Sequence, residues 1–203
     1  MMRMSSGILG VTLAVIAAFA PGFAMAHTGH GEMSGFLQGA LHPLGGVDHL
    51  LAMITIGLLA ASLGGRALWA LPLSFVSAML AGGLVAMNGV PIPFVELGIA
   101  PSVVVFGLVT ASAWRGPVAA AMALAAAFAL LHGYAHGAEM PAGASGASYA
   151  AGFVLATALL HGGGIGLGLS AKTVSSGPNL IRMAGLLVAS AGAAIVLMRL
   201  AAA

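Results

Sequence analysis

Residues 117–139 read PVAAAMALAAAFALLHGYAHGAE. Every side chain from Pro117 to Leu131 is apolar, and the run then closes on His132, His136 and Glu139. At about 1.5 Å of rise per residue, the segment to Gly137 covers about the 30 Å of a bilayer's hydrocarbon core. It therefore predicts a transmembrane helix that carries ionisable groups at one end. Five more apolar segments, at residues 41–63, 67–87, 97–113, 149–170 and 180–200, repeat the pattern. They are separated by loop-forming stretches such as Gly64-Gly65-Arg66, Asn88-Gly89-Val90-Pro91 and Ser176-Gly177-Pro178. Across all 203 residues the chain is 61% hydrophobic and 5% charged, with a mean hydropathy of +1.11. That composition excludes a water-soluble domain, a charged tail and a nucleic-acid groove.

Residues 1–26 have a different character. A basic start at Arg3, an apolar run over residues 8–20, the helix-breaking Pro21-Gly22 and an Ala24-Met25-Ala26 site have the order of a cleavable signal peptide. The expectation is an all-α integral membrane protein: a signal peptide over residues 1–26, then a six-helix transmembrane bundle over residues 27–203. Cleavage would leave His27 and His30 at the head of the mature chain. With that head outside, Arg66, Arg115, Lys172 and Arg182 fall on the inner side. Glu32, Glu96 and Glu139 fall outside, with Arg199 the one basic exception. This obeys the inward bias of basic residues and places both mature termini in the periplasm of a bacterial inner membrane.

Polar chemistry is scarce and concentrated. The chain has no Cys, so thiolate metal sites and Cys nucleophiles are excluded, and seven His stand beside only four carboxylates. Residues 42–53 read HPLGGVDHLLAM. On one helix, His42 and His49 differ by about 20° and His49 and Met53 by about 40°, which predicts two imidazoles and a thioether on one face beside Asp48, the only Asp. Pro43 suits a first helical position, so this helix is expected to begin there, with His42 as its cap. In residues 132–139, HGYAHGAE, the i, i+4 and i, i+7 spacing puts His132, His136 and Glu139 on one face. Imidazoles four apart are a natural clamp for a transition metal. Counted by rise per residue, His42, His136 and Glu139 come near the outer surface, and Asp48, His49 and His132 about 6 to 9 Å deeper. A two-level metal path open to the outside follows. His161 comes near the midplane, and Gly162-Gly163-Gly164 after it invites an unwound segment.

These motifs, with the His-bearing start after a signal peptide, resemble the HupE/UreJ family of small nickel/cobalt permeases associated with hydrogenase and urease gene clusters. The resemblance extends over essentially the whole mature chain. It implies import of Ni2+, or Co2+ in some members, for metalloenzyme maturation. It also implies that His42, Asp48, His49, His132, His136 and Glu139 are the functional positions. His27, His30, Met53 and His161 join them as metal candidates from the residues alone. The rival is a membrane-embedded histidine-box oxygenase or desaturase. Such sites need roughly eight His in several boxes, and this chain has one H-x3-H and no adjacent His pair, so a non-enzymatic permease is expected. The divalent ion and the bilayer are the expected partners, with a functional link to hydrogenase or urease maturation proteins. No G-x4-G-K-[ST] loop is present, so this chain does not itself couple transport to ATP.

Overall fold

The computed structural model describes residues 35–140 and 145–201. The expected signal segment and its cleavage site, with His27 and His30, lie outside the described residues. Those described fold as α1 (Gly35–Gly45), α2 (Val47–Leu63), α3 (Ala67–Met87), α4 (Val95–Ala111), α5 (Val118–Ala138), α6 (Gly146–Ala171) and α7 (Gly177–Ala201), with no strand among them. Four of these, α3, α5, α6 and α7, are long and apolar enough to cross a membrane alone. The α1–α2 pair passes that test only as one broken span, bent by 85°, and α4 is a shorter apolar helix of 17 residues.

The break corrects the expected first span. Pro43 lies inside α1 rather than opening a helix, and His42 is a helical residue of α1 rather than a cap. The chain turns at Gly46, which is extended at φ −107° and ψ 118°. Two successive glycines, Gly45 and Gly46, have little helical preference, and Pro43 removes one backbone donor from the turn before them. The new helix starts with Asp48 in its first turn, where a carboxylate is favoured by the helix N-terminus. His42 and His49 therefore do not share a face of one helix. They approach one site from two helices.

The second correction is at His161. α6 runs unbroken through Gly162, Gly163 and Gly164, so no unwound segment forms. Gly164 has a packing role: a Cβ there would run into the backbone carbonyl of Ile54 on α2, and one on Gly57 would strike the carbonyl of His161. Gly162, Gly163 and Gly166 face open space. Close approach through small residues recurs elsewhere. Gly82 and Gly133 bring α3 against α5, Gly107 and Gly185 bring α4 against α7, and Gly39 and Gly152 bring α1 against α6. Lipid tails are as apolar as Leu, so such helices are held by dispersion contact and packing rather than by escape from water.

Phe75, Phe106, Met53, Ile56, Leu59 and Leu71 fill the interior, while Leu159, Leu187 and Leu197 are exposed on the helix exteriors, as lipid-facing residues are. The helix reversals sort the charges. Arg199 at the end of α7 bonds Asp48 and Glu96 at the starts of α2 and α4, and His42 bonds Glu139 at the end of α5. At the opposite end Lys172 donates to the carbonyls of Ala61 and Ser62, and Arg182 to that of Ala111, capping α2 and α4.

Candidate metal site

The site forms where the α1–α2 break meets the end of α5. His42 projects from α1, and its Nε2 lies 3.1 Å from Oε2 of Glu139, the residue that caps α5. His136, one turn earlier on α5, brings its ring to 4.7 Å from that of His42. One ligand atom from each of His42, His136 and Glu139 can be chosen so that all lie within 4.8 Å of one another. A first-row divalent ion holds nitrogen and oxygen at about 2.0–2.2 Å, so its ligand atoms stand about 3–4 Å apart. Closing the trio on one ion asks its widest separation to shrink by about 1–2 Å.

Below it lies a second group. The His49 ring is 4.3 Å from that of His136 and 4.7 Å from that of His132. His136 thus stands between the outer trio and an inner pair. The structure brings side chains of the two expected levels together, with the His49 ring nearer to His136 than to His132. His49, His132 and His136 are buried, and each keeps at least one ring nitrogen without a hydrogen-bond partner among the described residues. Bare imidazole nitrogens in an apolar interior are costly, and they are the groups a transition metal takes.

Asp48 is placed differently from a simple ligand. Its Oδ1 accepts from Nδ1 of His49 at 2.8 Å, and its Oδ2 accepts from Arg199 at 2.7 Å. Both oxygens are engaged, so in this state the carboxylate orients His49 and anchors Arg199. Arg199 also pairs with Glu96, leaving one net negative charge for two carboxylates and a guanidinium. Gly46 makes this arrangement possible, because a Cβ there would come within 2.9 Å of His49 Nδ1 and 3.0 Å of Asp48 Oδ1.

His161 and Met53 stand apart from the outer trio. His161 is buried with both ring nitrogens unpartnered among the described residues, and the Phe75 ring lies 5.1 Å from it and 5.8 Å from His132. Phe75 thus contacts both imidazoles. Met53 is fully buried in the apolar cluster with Ile56 and Leu59, in packing contact, and shares no helix with His42.

Sequence reasoning missed Ser102, Phe75 and the bonds of Arg199. Ser102 had a signal, being a hydroxyl in an otherwise apolar stretch of α4. Arg199 had one too: it was the exception to the charge asymmetry, and its partners Asp48 and Glu96 explain why a cation is held at that end. Phe75 had none, since an aromatic in a membrane helix is ordinary.

The HupE / UreJ protein family model matches residues 13–195. The chain belongs to the HupE/UreJ family. The match takes in every site residue above except Arg199. Among curated proteins, Protein HupE of Rhizobium leguminosarum bv. viciae is similar, 40% identical over 186 residues, which is 91% of this chain and 96% of that protein. No solved structure matches. As a HupE/UreJ member with helices of membrane-spanning length and composition, this is a membrane protein.

Proposed function

We propose that this HupE/UreJ protein imports nickel, with cobalt as the alternative cargo, across the bacterial cytoplasmic membrane to supply metalloenzyme maturation such as that of hydrogenase or urease. The observation that carries the reading is the joining of two distant motifs: His42 meets His136 and Glu139 within ligand distance, and His49 meets His132 directly behind them. The outer trio captures the ion and offers it mixed nitrogen and oxygen donors, which suit divalent first-row metals. His136 hands it to His49 and His132, whose bare nitrogens replace lost water. His161 is the next donor inward, beyond Phe75, and His27 and His30 add capture capacity at the mature head. The membrane potential supplies about 4.6 kcal/mol for a divalent ion at 100 mV. The test is nickel accumulation at limiting metal in a host deleted for its own high-affinity importers. Accumulation well above the empty host, lost in His136→Ala at equal membrane level, is expected. Accumulation equal to the empty host would end the import reading.

The same proposal fixes the topology, with a signal peptide over residues 1–26 and both mature termini in the periplasm. Sequencing the purified protein should begin at His27. A single Cys at position 139 should react with an impermeant reagent from outside, and one at position 115 only from inside. An intact Met1 terminus or the reverse labelling would place the His cluster on the wrong side for import.

A further inference from the structure

We propose that Ser102 decides which nitrogen of His132 is free to take the metal, making it a positioning residue for the deeper half of the path. Ser102 is buried in α4, and its Oγ lies 2.6 Å from the backbone carbonyl oxygen of Ile99. A carbonyl oxygen only accepts, so the single hydroxyl proton is committed there. Oγ therefore has only lone pairs to offer His132 Nε2, which lies 2.9 Å away. Nε2 must carry the proton of that bond. A neutral imidazole has one N–H, which leaves Nδ1 of His132 bare, buried and without a partner among the described residues.

His49 is arranged in the same way with the nitrogens exchanged. Its Nδ1 donates to Asp48, and its Nε2 is the bare, buried, unpartnered atom. The two rings stand 4.7 Å apart and nearly perpendicular. Each is anchored through one nitrogen and open at the other. His136 and His161 differ, because neither of their ring nitrogens has a partner among the described residues. Of these four buried imidazoles, only His49 and His132 have a tautomer set by the fold. A carboxylate sets one and a hydroxyl the other. Partners of this kind fix tautomer and ring direction at metal-binding His, and losing one costs about 10–100-fold in affinity or activity.

The inference rests on the import reading for its consequence but not for its geometry, so the experiment has two arms. In the metal-free protein, 15N spectra of histidine-labelled chain should show His132, assigned through His132→Gln, protonated at Nε2 and bare at Nδ1. Ser102→Ala should lose that single tautomer, and Ser102→Thr should keep it. In the uptake arm, Ser102→Ala should raise the nickel concentration for half-maximal uptake by about 10–100-fold with little change in maximal rate, and Ser102→Thr should restore it. If Ser102→Ala does not accumulate, Ser102→Cys, a weaker acceptor of similar shape, serves in both arms. A wild-type His132 protonated at Nδ1 overturns the proposal, as does a variant that loses the tautomer without any shift in half-maximal concentration. A wild-type protein with the expected tautomer and no nickel uptake would overturn the import reading alone.

Discussion

Replacing Asp48 by alanine is expected to cut nickel uptake at limiting metal by about 10–100-fold, the usual cost of removing a group that orients a metal-binding His. His49→Ala should cost at least as much, since it removes a bare nitrogen of the inner pair. Both oxygens of Asp48 are in use, on His49 and Arg199. Its loss frees the His49 tautomer and leaves Arg199 with Glu96 alone. Taking one partner from a buried charge pair is strongly destabilising, so uptake must be compared at equal membrane levels. Asp48→Asn separates the two effects, because an amide oxygen still accepts from Nδ1 of His49 while the charge facing Arg199 is gone. It should recover much of the uptake that Asp48→Ala loses. His27→Ala is the contrast. If His27 heads the mature chain, as proposed, solvent replaces one capture ligand there, so its effect should appear in the half-maximal concentration more than in the maximum. Full uptake by both Asp48→Ala and His49→Ala at limiting nickel would remove the inner pair from the path.

The helical class and the polar ends of the helices were legible in the sequence because both rest on one-dimensional signals. Apolar runs of bilayer length can be counted without knowing what packs against what. Depth can be counted along an unbroken helix too, and that count holds for His132, His136 and Glu139 at the end of α5, whereas the count through His42 and His49 assumed one helix where the chain has two. Counting fails where the path of the chain changes. Nothing in the periodicity of HPLGGVDHL distinguishes a helix capped at His42 from two helices broken at Gly46, since Gly tolerates both. Gly162-Gly163-Gly164 misled for the same reason. Gly164 faces Ile54 and the other two face open space, a difference set by the neighbouring helix and not by the residues themselves. Ser102 and Arg199 stood out as polar groups, but what they bond to was out of reach for a third reason. Their partners lie 30 and 151 positions away, and a hydrogen bond between helices leaves no mark on the spacing within either.

Gly133→Ala is expected to damage both stability and uptake, whereas Gly162→Ala should leave both intact. A Cβ at Gly133 would overlap the carbonyl oxygen, carbonyl carbon and Cα of Met79. All three are backbone atoms of α3, so no side chain can swing aside and the helices must separate. Overpacking of this kind costs about 1–3 kcal/mol. The displacement is carried directly to the site, because His132 adjoins Gly133 and His136 follows within the same turn of α5. Moving α5 outward lengthens the contacts of His132 with Ser102 and His49 and of His136 with His42. Gly162 lies beside a buried His as well, but a Cβ there meets nothing within 4 Å, and Ala in a helix interior is favoured over Gly by about 0.5–1 kcal/mol. Thermal unfolding in detergent and nickel uptake at limiting metal check the pair together. A lower unfolding temperature with lost uptake for Gly133→Ala, beside a wild-type-like or slightly raised temperature for Gly162→Ala, is the expected result. Equal damage from the two substitutions would mean that Gly162 has work other than helix packing. A silent Gly133→Ala would mean that α3 and α5 do not approach closely enough to hold His132 and His136 in place.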